Sequence, residues 1–459
     1  MRISRRALVR ASAMLAFAAP FGGACALAAA LPREVDIVVI GAGAAGIAAA
    51  RRIAATGRRV LVLEATDRVG GRCYTDSATF GAPFDRGARW LHGQDTNPVI
   101  RHAREAGLGL VPAPQGQRIR IGRRNARAGE AETFLAALVR ANRAIDNAAR
   151  GRADVAAASV LPHDLAEWSS ATRFVLGALR TTKDLDDLSA MDYARIQERV
   201  TALACPEGLG ALIGRLAEGV PVALSTPAMQ VGWGKRAAFV ETAAGRIAAR
   251  AVIVTASTNV LQAGGMSFTP ELPKRQLDAL AKLSLGSYER IALELPGNPL
   301  GLGRDERVLE QSGDRETGLL LANIGGSSLC TVDIGGGFAR DLGAQGEAAM
   351  VAFAVEWLVK LFGSDIKAKV GRSAATRWDA MPYIRGAASA AAPGGQPSRR
   401  ALMEPMQNLY FAGEACHETL WGTVGGAWDS GERAADAALK GLGPATPPAK
   451  SKRPAKRRQ

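Results

Sequence analysis

Cysteine and histidine are scarce in this sequence, and the few that are present lie far apart. The 459 residues include 5 cysteines and 4 histidines, and no two cysteines form a Cys-x-x-Cys pair. Zinc and iron–sulfur sites are built from closely spaced Cys and His ligands. The sequence therefore predicts no metal centre, and it does not indicate a disulfide.

Aromatic residues are also few, at 5% of the chain, although the formal net charge is +15. No aromatic platform flanked by basic side chains, of the kind that binds single-stranded nucleic acid, is visible. Ten basic residues lie in the two termini: Arg2, Arg5, Arg6, Arg10, Lys450, Lys452, Arg453, Lys456, Arg457 and Arg458. Without these ten the net charge is about +5, which argues against a nucleic-acid partner.

The first 30 residues have the features of an export signal. A twin arginine, Arg5-Arg6, precedes an Ala/Gly-rich apolar stretch, and Ala26-Leu27-Ala28 fits an A-x-A cleavage site. We predict that residues 1–30 are a twin-arginine (Tat) signal peptide and that the mature protein is periplasmic or secreted. Pro20 and the low Leu/Ile content argue against a membrane anchor. Cys25 is a poor lipoprotein site, and no membrane span is predicted in the mature chain.

A strand, a glycine-rich turn and a helix follow this leader. The continuous apolar run Ile37 to Ile40 is typical of a parallel strand that is covered on both faces. Gly41, Gly43 and Gly46 then form a G-x-G-x-x-G motif. In such a motif the first glycine allows a tight turn, the second allows the backbone to approach a pyrophosphate, and the third allows the helix to pack closely.

The residues that come next support dinucleotide binding. A predicted helix over 44–55 leads to a second apolar strand over 59–63. That strand ends at Glu64, about 20 residues past the glycines, where a carboxylate accepts hydrogen bonds from the adenosine ribose hydroxyls. Arg68 and Arg72 follow and can reach phosphate oxygens.

The rest of the chain alternates between helical and β character. Residues 91 to 206 are predicted to be mostly helical, with helices over 131–149 and 185–204. Further predicted elements are strands over 220–224, 239–242, 251–255 and 290–295, helices over 346–362 and 427–442, a Pro-marked connection over 267–273, and an ordered block over 408–414. The Pro-, Ala- and Lys/Arg-rich residues 443–459 are predicted to be a disordered basic tail.

These motifs, in this order, resemble those of the flavin-containing amine oxidases, the monoamine and polyamine oxidase family. The likeness spans about residues 34 to 442 and is carried by the first βαβ unit with Glu64, by Arg68-Val69-Gly70-Gly71-Arg72, Asp85-Arg86-Gly87-Ala88, Val254-Thr255 with Val260-Leu261, and by Leu409 to Glu414 with Gly422-Thr423-Val424. It implies an α/β fold, with a Rossmann-like FAD-binding domain of the glutathione-reductase/amine-oxidase type and an inserted α+β substrate domain. The FAD domain would comprise residues 34–90, 205–265 and 376–442, and the substrate domain residues 91–204 and 266–375.

The resemblance also implies which residues hold the FAD. By matched position, Val222 should contact the adenine through its backbone, and Glu414 should hold the ribityl or pyrophosphate region. Thr423 and Val424 should lie at the isoalloxazine ring, with a helix N-terminus facing its N1–C2=O end. The full implied set is Gly41, Gly43, Ala44, Ala45, Gly46, Glu64, Ala65, Gly71, Arg72, Gly87, Ala88, Arg89, Trp90, Val222, Gly413, Glu414, Thr423 and Val424.

Four residues are implied at the reaction centre. Trp378 should border the flavin together with Thr423. His92, in Trp90-Leu91-His92-Gly93, could orient a polyamine nitrogen, although a lone histidine is more often structural. Arg290 stands where many family members have a lysine that holds a water at flavin N5. Arginine is a rigid, permanently charged fork and does not replace lysine directly, so fast reaction with O₂ is not implied.

Two absences separate this chain from the monoamine oxidases. Residues 385–389 contain no cysteine where those enzymes attach their flavin, so the FAD should be bound non-covalently. Ala388 and Thr423 stand where the two tyrosines of an aromatic cage are expected. Trp421 and Trp428 could supply aromatic surface instead, but Trp428 is more typical of core packing.

The leading hypothesis is an exported FAD-dependent amine oxidoreductase. The substrate would be a small-molecule amine, whose α-carbon passes a hydride to flavin N5 to give an imine that hydrolyses. O₂ or a periplasmic electron acceptor would reoxidise the flavin. One alternative is an L-amino-acid oxidase, in which Arg86, Arg89 or Arg290 would clamp the carboxylate. Others are a phytoene- or protoporphyrinogen-type desaturase and a non-catalytic binding protein on the same fold, such as the GDP-dissociation inhibitors.

Overall fold

The structure is a computed structural model, and it describes residues 31–197 and 201–443. Within these residues the helices are α1 (Ala44–Ala54), α2 (Pro98–Glu105), α3 (Ala128–Ala148), α4 (Ser169–Arg173), α5 (Ala190–Ala194), α6 (Leu209–Leu216), α7 (Thr258–Gln262), α8 (Lys274–Lys282), α9 (Gly336–Ala344), α10 (Glu347–Phe362), α11 (Ser398–Met403) and α12 (Val424–Leu442). The strands are β1 (Ile37–Ile40), β2 (Val60–Leu63), β3 (Thr75–Asp76), β4 (Phe84–Asp85), β5 (Leu91–His92), β6 (Val111–Pro112), β7 (Arg118–Ile121), β8 (Arg124–Asn125), β9 (Ala202–Ala204), β10 (Val222–Ala223), β11 (Ala228–Gly232), β12 (Ala238–Thr242), β13 (Gly245–Ala249), β14 (Ala251–Val254), β15 (Ser267–Thr269), β16 (Tyr288–Glu294), β17 (Glu306–Glu310), β18 (Leu319–Ala322), β19 (Leu329–Gly335), β20 (Ser373–Ala375) and β21 (Leu409–Phe411).

A parallel five-stranded sheet forms the centre of one half of the molecule. Its strand order is β10-β2-β1-β14-β21, and Val39 of β1 lies between Val62 of β2 and Ile253 of β14. Strands β1, β2 and β14 are buried along their whole length. Continuous apolar runs of this kind are stable only when both faces of a sheet are covered. The predicted unit of strand, glycine turn, helix and strand is therefore confirmed.

Helices and a second sheet provide this cover. On one face α1 and α12 share a hydrophobic core with β1, and they are so close that a Cβ on Gly431 would lie 2.1 Å from the carbonyl oxygen of Ala45. On the other face lies a four-stranded sheet of order β13-β12-β11-β15, with Val231 and Val240 in the shared core. The small residues of α1 and α12 thus allow the close approach that the motif predicts.

A seven-stranded sheet of order β20-β16-β19-β18-β17-β7-β8 forms the centre of the other half. Helix α10 covers one face, where Trp357 and Leu358 share a core with Ile291 and Val332. Helices α3, α4 and α5 form a separate core beside it. Strands β7 and β8 come from the predicted segment 91–204, and the other five strands come from the predicted segment 266–375. The two segments predicted for the substrate domain therefore share one sheet. The predicted fold class is confirmed.

The structure differs from the prediction mainly between residues 91 and 204. Strands β6, β7 and β8 lie in a region predicted to be mostly helical. The predicted helix over 185–204 is instead a 3₁₀ turn over Leu185–Asp187, the short helix α5 and strand β9. The predicted connection over 267–273 contains β15, which pairs with β11. These short strands are stabilised by partners distant in sequence, which a local pattern does not reveal.

The predicted signal peptide, 1–30, lies outside the described residues, as does all of the predicted tail except Gly443. Both therefore stay predictions. No helix in the described part of the chain is long and apolar enough to cross a membrane. Over the same residues, no group of metal-binding side chains is found. Cys73, Cys205, Cys330 and Cys416 are buried free thiols.

Candidate active site

One cleft runs along the carboxyl ends of the parallel strands, where open α/β sheets bind their ligands. Its volume is about 370 Å³, within the range of small-molecule sites. The wall draws residues from all three predicted FAD-binding segments. The predicted residues on it are Gly41, Gly43, Ala44, Ala45, Glu64, Ala65, Gly71, Arg72, Gly87, Ala88, Arg89, Trp90, His92, Arg290, Trp378, Gly413, Glu414, Thr423 and Val424.

Two predicted residues are not on this wall. Gly46 lies in α1, where a Cβ would be 1.8 Å from the carbonyl oxygen of Gly41. Gly46 thus allows the helix to lie against the turn and does not line the cleft. Val222 pairs with β2 at the edge of the sheet, and Pro227 and Ala228 reach the wall instead. The predicted backbone contact of Val222 with the adenine stays a prediction.

The turn between β1 and α1 is shaped to receive a phosphate group. Gly41 has φ of +99°, a conformation that favours glycine. The backbone N–H of Ala42 donates to Glu64 Oε2 at 2.7 Å, and Thr66 donates to Glu64 Oε1, which fixes the carboxylate at the end of β2. Helix α1 begins at Ala44 without a side-chain cap. Its first N–H groups therefore remain available to an anion.

Arg68 and Arg72, which the sequence predicts to reach phosphate oxygens, both lie on the cleft wall and also contact the protein, and their predicted phosphate contacts stay predictions. Arg68 donates to the carbonyl oxygen of Gly71 at 2.9 Å, and its guanidinium carbon lies 4.1 Å from the centroid of the Tyr74 ring. Arg72 forms an ion pair with Glu414 at 2.9 Å. Both side chains stabilise the loops beside the cleft.

Glu414 joins three loops at the centre of the cleft. Its carboxylate accepts hydrogen bonds from Arg72, from the backbone and hydroxyl of Ser389, and from the backbone N–H of Gly422 at 2.9 Å. Burial acts to raise the pKa of Glu414, but Arg72 and the Ser389 hydroxyl hold it below its ordinary value. A charged carboxylate therefore holds the loop before α12 in place.

The N-terminus of α12 lies at the far end of the cleft. Thr423 is its N-cap: Oγ1 accepts from the N–H of Gly426 at 3.0 Å and donates to the carbonyl oxygen of Leu420 at 2.6 Å. Val424 begins the helix on the cleft wall. The positive end of the helix dipole therefore faces the cleft, and the predicted contact with the N1–C2=O end of a flavin stays a prediction.

Trp90 and Trp378 line the cleft, whereas Trp421, although it lies next to the wall, is fully buried in the core that contains Phe134 and Trp168. The ring of Trp378 is oriented by a hydrogen bond of 3.1 Å from Nε1 to the carbonyl oxygen of Arg86. Trp428 lies in the core formed with α1, as the sequence predicts. Aromatic surface on the cleft wall thus comes from Trp90, Trp378, Tyr288 and Tyr383, and not from tyrosines at positions 388 and 423.

Arg290, on β16, lies directly opposite Asp333, on β19. Its Nε and Nη2 donate to the two carboxylate oxygens at 2.8 and 3.2 Å, and its Nη1 donates to the carbonyl oxygens of Asp85 and Gly87. Burial acts to lower the pKa of Arg290, but Asp333 raises it above its ordinary value. Because protein groups hold the guanidinium on several sides, Arg290 has little freedom to act as a mobile cation. Its catalytic role stays a prediction.

Arg89 and His92 lie on the same wall. The guanidinium of Arg89 donates from Nη1 and Nη2 to Thr331 Oγ1 at 3.3 and 3.2 Å. Burial, together with the nearby Arg290, lowers the pKa of Arg89 to about 10. His92 ends β5, and its carbonyl oxygen accepts a hydrogen bond of 2.8 Å from the Asn97 side chain. The predicted roles of both residues stay predictions.

The wall also contains residues that carry no sequence motif. Tyr288 could have been found from the sequence, because it precedes Arg290 by two positions in a strand and its side chain therefore lies on the same face of the sheet. The others come from segments whose position depends on the whole fold. The residues that the sequence did not single out include Leu179, Arg180, Thr181, Thr182, Pro227, Ala228, Ser257, Met266, Tyr288, Tyr383 and Ile384.

The residues present fit an FAD. An added Cβ on Gly43 would have no protein atom nearer than the Gly70 carbonyl oxygen, at 3.9 Å, so space is free beside this backbone. A Cβ on Gly87 would lie 1.9 Å from the carbonyl oxygen of Arg72 and 3.0 Å from the Trp378 ring, so that only glycine allows these parts of the wall to pack together. A carboxylate at the end of β2 and a helix N-terminus at each end of the cleft complete the match to a dinucleotide.

Comparison with known proteins agrees with this geometry. The family model described as flavin containing amine oxidoreductase matches residues 44–439. Polyamine oxidase 4 of Oryza sativa subsp. japonica is 27% identical over 88% of this chain and 88% of its own length. Lysine-specific histone demethylase 2 of Homo sapiens is 25% identical over 88% of this chain and 54% of its own length. The chain thus spans about half the length of that demethylase.

Solved structures show the same fold. A putrescine oxidase bound to putrescine has a TM-score of 0.76 at 21% identity, and the likeness covers 88% of this chain and 98% of that one. Cyclohexylamine oxidase from Brevibacterium oxydans has a TM-score of 0.75 at 20% identity, and the likeness covers 89% of this chain and 99% of that one. On the extent of the family match, this chain belongs to the flavin containing amine oxidoreductases and is an FAD-dependent enzyme.

Proposed function

We propose that this chain oxidises a small-molecule amine at the tryptophan-lined end of the cleft. Bound FAD would supply the two-electron acceptor for the hydrogen of the amine α-carbon, at N5 of its ring, and the cleft residues from Gly41 to Glu64 and from Gly413 to Val424 would hold it. The observation that carries the proposal is the continuity of a single cleft. It joins the glycine turn at Gly41 and Glu64 to the wall formed by Trp378 and Thr423.

The protein itself orients the amine, keeps water out of the cleft and places a positive helix end where the flavin gains negative charge. The rings of Trp90 and Trp378 give the amine apolar surface and exclude water, which favours the neutral amine. The N-terminus of α12, capped by Thr423, presents its positive end to the flavin. The imine product leaves and hydrolyses in water, so no nucleophile or paired carboxylates are needed.

The relatives support an amine substrate in general terms. Their names refer to polyamines, putrescine and cyclohexylamine, which are chemically different amines. For the electron acceptor we propose O₂ or a periplasmic carrier. Arg290, held by Asp333 and two backbone carbonyls, favours the carrier, since it offers no mobile ammonium group beside the flavin.

We also propose that the protein is exported by the twin-arginine route, which suits a protein that folds around its cofactor before transport. The proposal is supported by Arg5-Arg6 and by the apolar stretch that follows. The test is fractionation of cells that express the wild-type chain or a variant with Arg5→Lys and Arg6→Lys. Periplasmic wild-type protein and retained variant are expected, and equal distributions would contradict export by this route.

The experiment that tests the chemistry uses the full chain purified with its flavin. Polyamines, monoamines and L-amino acids are added separately without oxygen, and the loss of flavin absorbance is followed. Reduction by at least one class is expected. Air is then admitted: recovery within seconds indicates an oxidase, and slow recovery indicates a dehydrogenase. If the flavin is bound but no amine reduces it, amine oxidation is wrong and a binding role gains support.

A further inference from the structure

Glu289 is a buried acid that lies directly behind the cleft wall. It stands between Tyr288 and Arg290 in strand β16, where successive side chains point to opposite faces of the sheet. Tyr288 and Arg290 line the cleft, so Glu289 points to the other face, where a Cβ on Gly343 of α9 would lie 3.8 Å from its Cγ. The side chain is 1% exposed, so water solvates its carboxyl poorly.

This carboxyl holds the turn that begins with Trp378. The backbone N–H of Asp379 donates to Oε1 of Glu289 at 3.3 Å, and the hydroxyl of Thr376 donates to Oε2 at 2.5 Å. The backbone of Trp378 forms a further hydrogen bond with the same group. The turn covers Trp378–Ala380, and its first residue lines the cleft. Glu289 therefore contacts from behind a segment whose front forms part of the wall.

A second contact holds the ring of Trp378. Its Nε1 donates to the carbonyl oxygen of Arg86 at 3.1 Å, and a Cβ on the neighbouring Gly87 would lie 3.0 Å from the same ring. The ring thus packs directly on this segment of the wall. Its position depends on two hydrogen-bonded contacts, one at the indole and one at the backbone of the turn.

The turn also brings a second acid to this site. Asp379 is half-buried and accepts a hydrogen bond of 2.5 Å from the hydroxyl of Ser287, two residues before Glu289. Burial, together with the charge of Asp379, raises the pKa of Glu289 to about 7 against the hydrogen bond from Thr376. Burial also raises the pKa of Asp379, against the Ser287 hydroxyl and the charge of Arg340. The two acids therefore disfavour each other's charged form.

Few other charged groups reach this site from the elements packed around it. Arg340 of α9 acts on the second acid, Glu347 of α10 is bound to a backbone N–H of β20, and Arg377 is exposed. Arg290 points to the opposite face and is paired with Asp333. In the described part of the chain, no basic side chain lies within 4 Å of either carboxyl.

We propose that Glu289 is a positioning residue for the oxidation of the amine: it holds the turn that presents Trp378, and its proton determines where the ring lies. With the proton bound, the turn stays against Glu289. When the proton leaves, two carboxylates share a water-poor site and repel each other. The turn that carries Asp379 then moves away, with the ring at its start. This inference rests on the proposed function, which places the amine at Trp378.

The first test needs no substrate. The full chain with bound FAD is titrated from about pH 5.5 to about pH 8.5, and the absorption and circular dichroism of the oxidised flavin are recorded. Wild type is expected to show a one-proton change with a midpoint of about pH 7. Glu289→Gln should lose the change and keep the low-pH spectrum, since glutamine resembles the protonated acid. A wild type without the change, or a variant that retains it, would overturn the inference.

Two controls separate Glu289 from other titrating groups. Glu310 is equally buried and accepts from Nε1 of Trp357, which lies in the core under α10, so Glu310→Gln should keep the spectral change. His92 lines the cleft, and histidines in general titrate near neutral pH. His92→Asn should also keep the change. If His92→Asn loses it and Glu289→Gln retains it, the change belongs to the histidine and the inference is wrong.

Two further variants test how the proton affects the ring. Asp379→Asn removes the repelling charge and keeps an oxygen for Ser287, so the midpoint is expected to fall by about one pH unit. Trp378→Phe should reduce the amplitude of the spectral change, because the indole no longer binds the carbonyl oxygen of Arg86. An unchanged midpoint or an unchanged amplitude would contradict the proposal. Asp379→Asn alters a half-buried side chain, so it decides the matter if Glu289→Gln does not fold.

The last test concerns the reaction itself. The amine that reduces the flavin fastest in the anaerobic panel is used at saturating concentration, and the limiting rate of reduction is measured over the same pH range. The wild-type rate is expected to fall with the midpoint of the spectral change, and Glu289→Gln should lose this dependence. Equal profiles would exclude a role in the reaction. If no amine reduces the flavin, the proposed function fails, and the spectral titration still decides whether Glu289 positions Trp378.

Discussion

Arg290 and Asp333 face each other across two antiparallel strands and form a two-point ion pair inside the molecule. The same guanidinium donates to the carbonyl oxygens of Asp85 and Gly87, in the segment that leads to the cleft. The pair therefore connects the seven-stranded sheet to a segment that the sequence predicts to bind the cofactor. A residue that the sequence places at the flavin is thus also a structural support of the site.

Removing one partner of this pair should cost much stability. Arg290→Met leaves the buried carboxylate of Asp333 without its main partner, and a loss of about 3–5 kcal/mol in the free energy of unfolding is expected. Adding Asp333→Asn should recover part of this loss, because no unpaired charge remains. Urea unfolding with excess FAD measures both. A double variant less stable than Arg290→Met would contradict the explanation.

Arg290→Lys tests the electron acceptor. Lysine keeps the positive charge but cannot hold Asp333 and two carbonyl oxygens together, so its ammonium group is freer to move. We expect the reduced flavin of this variant to react with O₂ at least about 10-fold faster than that of the wild type, a change of about 1.4 kcal/mol in the barrier. The measurement mixes reduced enzyme with air-saturated buffer. Equal rates of flavin reoxidation in the wild type and the variant would show that Arg290 does not limit the reaction with O₂.

Glu414 should determine how tightly the flavin is held. Glu414→Gln keeps the shape of the side chain but loses the charge that binds Arg72 and the N–H of Gly422. Hydrogen bonds to a charged group contribute about 1.5–3 kcal/mol, so the Kd for FAD is expected to rise about 10- to 100-fold. Flavin content after gel filtration reports the change. The control is Glu404→Gln, which alters an exposed partner of Arg275 and should retain its flavin.

Two glycine substitutions should have opposite effects. Gly46→Ala places a methyl group 1.8 Å from the Gly41 carbonyl oxygen, so the glycine turn must move, and FAD binding is expected to be lost. Gly129 lies in α3 with no atom within 4 Å of an added Cβ. Gly129→Ala should therefore stabilise the protein by about 0.5–1 kcal/mol and leave the flavin in place. Flavin content and thermal unfolding measure both variants, and flavin bound normally by Gly46→Ala would contradict the geometry.

Glu289 should make stability depend on pH. It is 1% exposed, and burial raises its pKa to about 7 against the opposing hydrogen bond from Thr376. Because the folded state binds this proton more tightly than the unfolded state, stability is fully present below about pH 4.5 and falls as the pH rises to about 7. Thermal midpoints between pH 5 and 8 should decline less for Glu289→Gln, which carries no proton to lose. Parallel declines would contradict the assignment.

Much of the cofactor half could be predicted from the sequence because its signals are local. The strand at Ile37, the turn at Gly41 and the acid at Glu64 follow one another with little intervening chain, and each has a backbone requirement that few residues meet. The seven-stranded sheet could not be predicted to the same extent. Strand β19 is buried at every position, so it lacks the alternation that marks a half-exposed strand.

The amino-acid sequence alone thus indicated the family, the cofactor and the glycine-rich turn after β1, since each motif that carries them is a short stretch of chain. Only the tertiary structure decided which charges are paired. It gave Asp333 to Arg290 and Asp192 to Arg399. Charge pairing inside a protein depends on which distant segments meet. The chemical character of the cleft therefore depends on the tertiary structure as well.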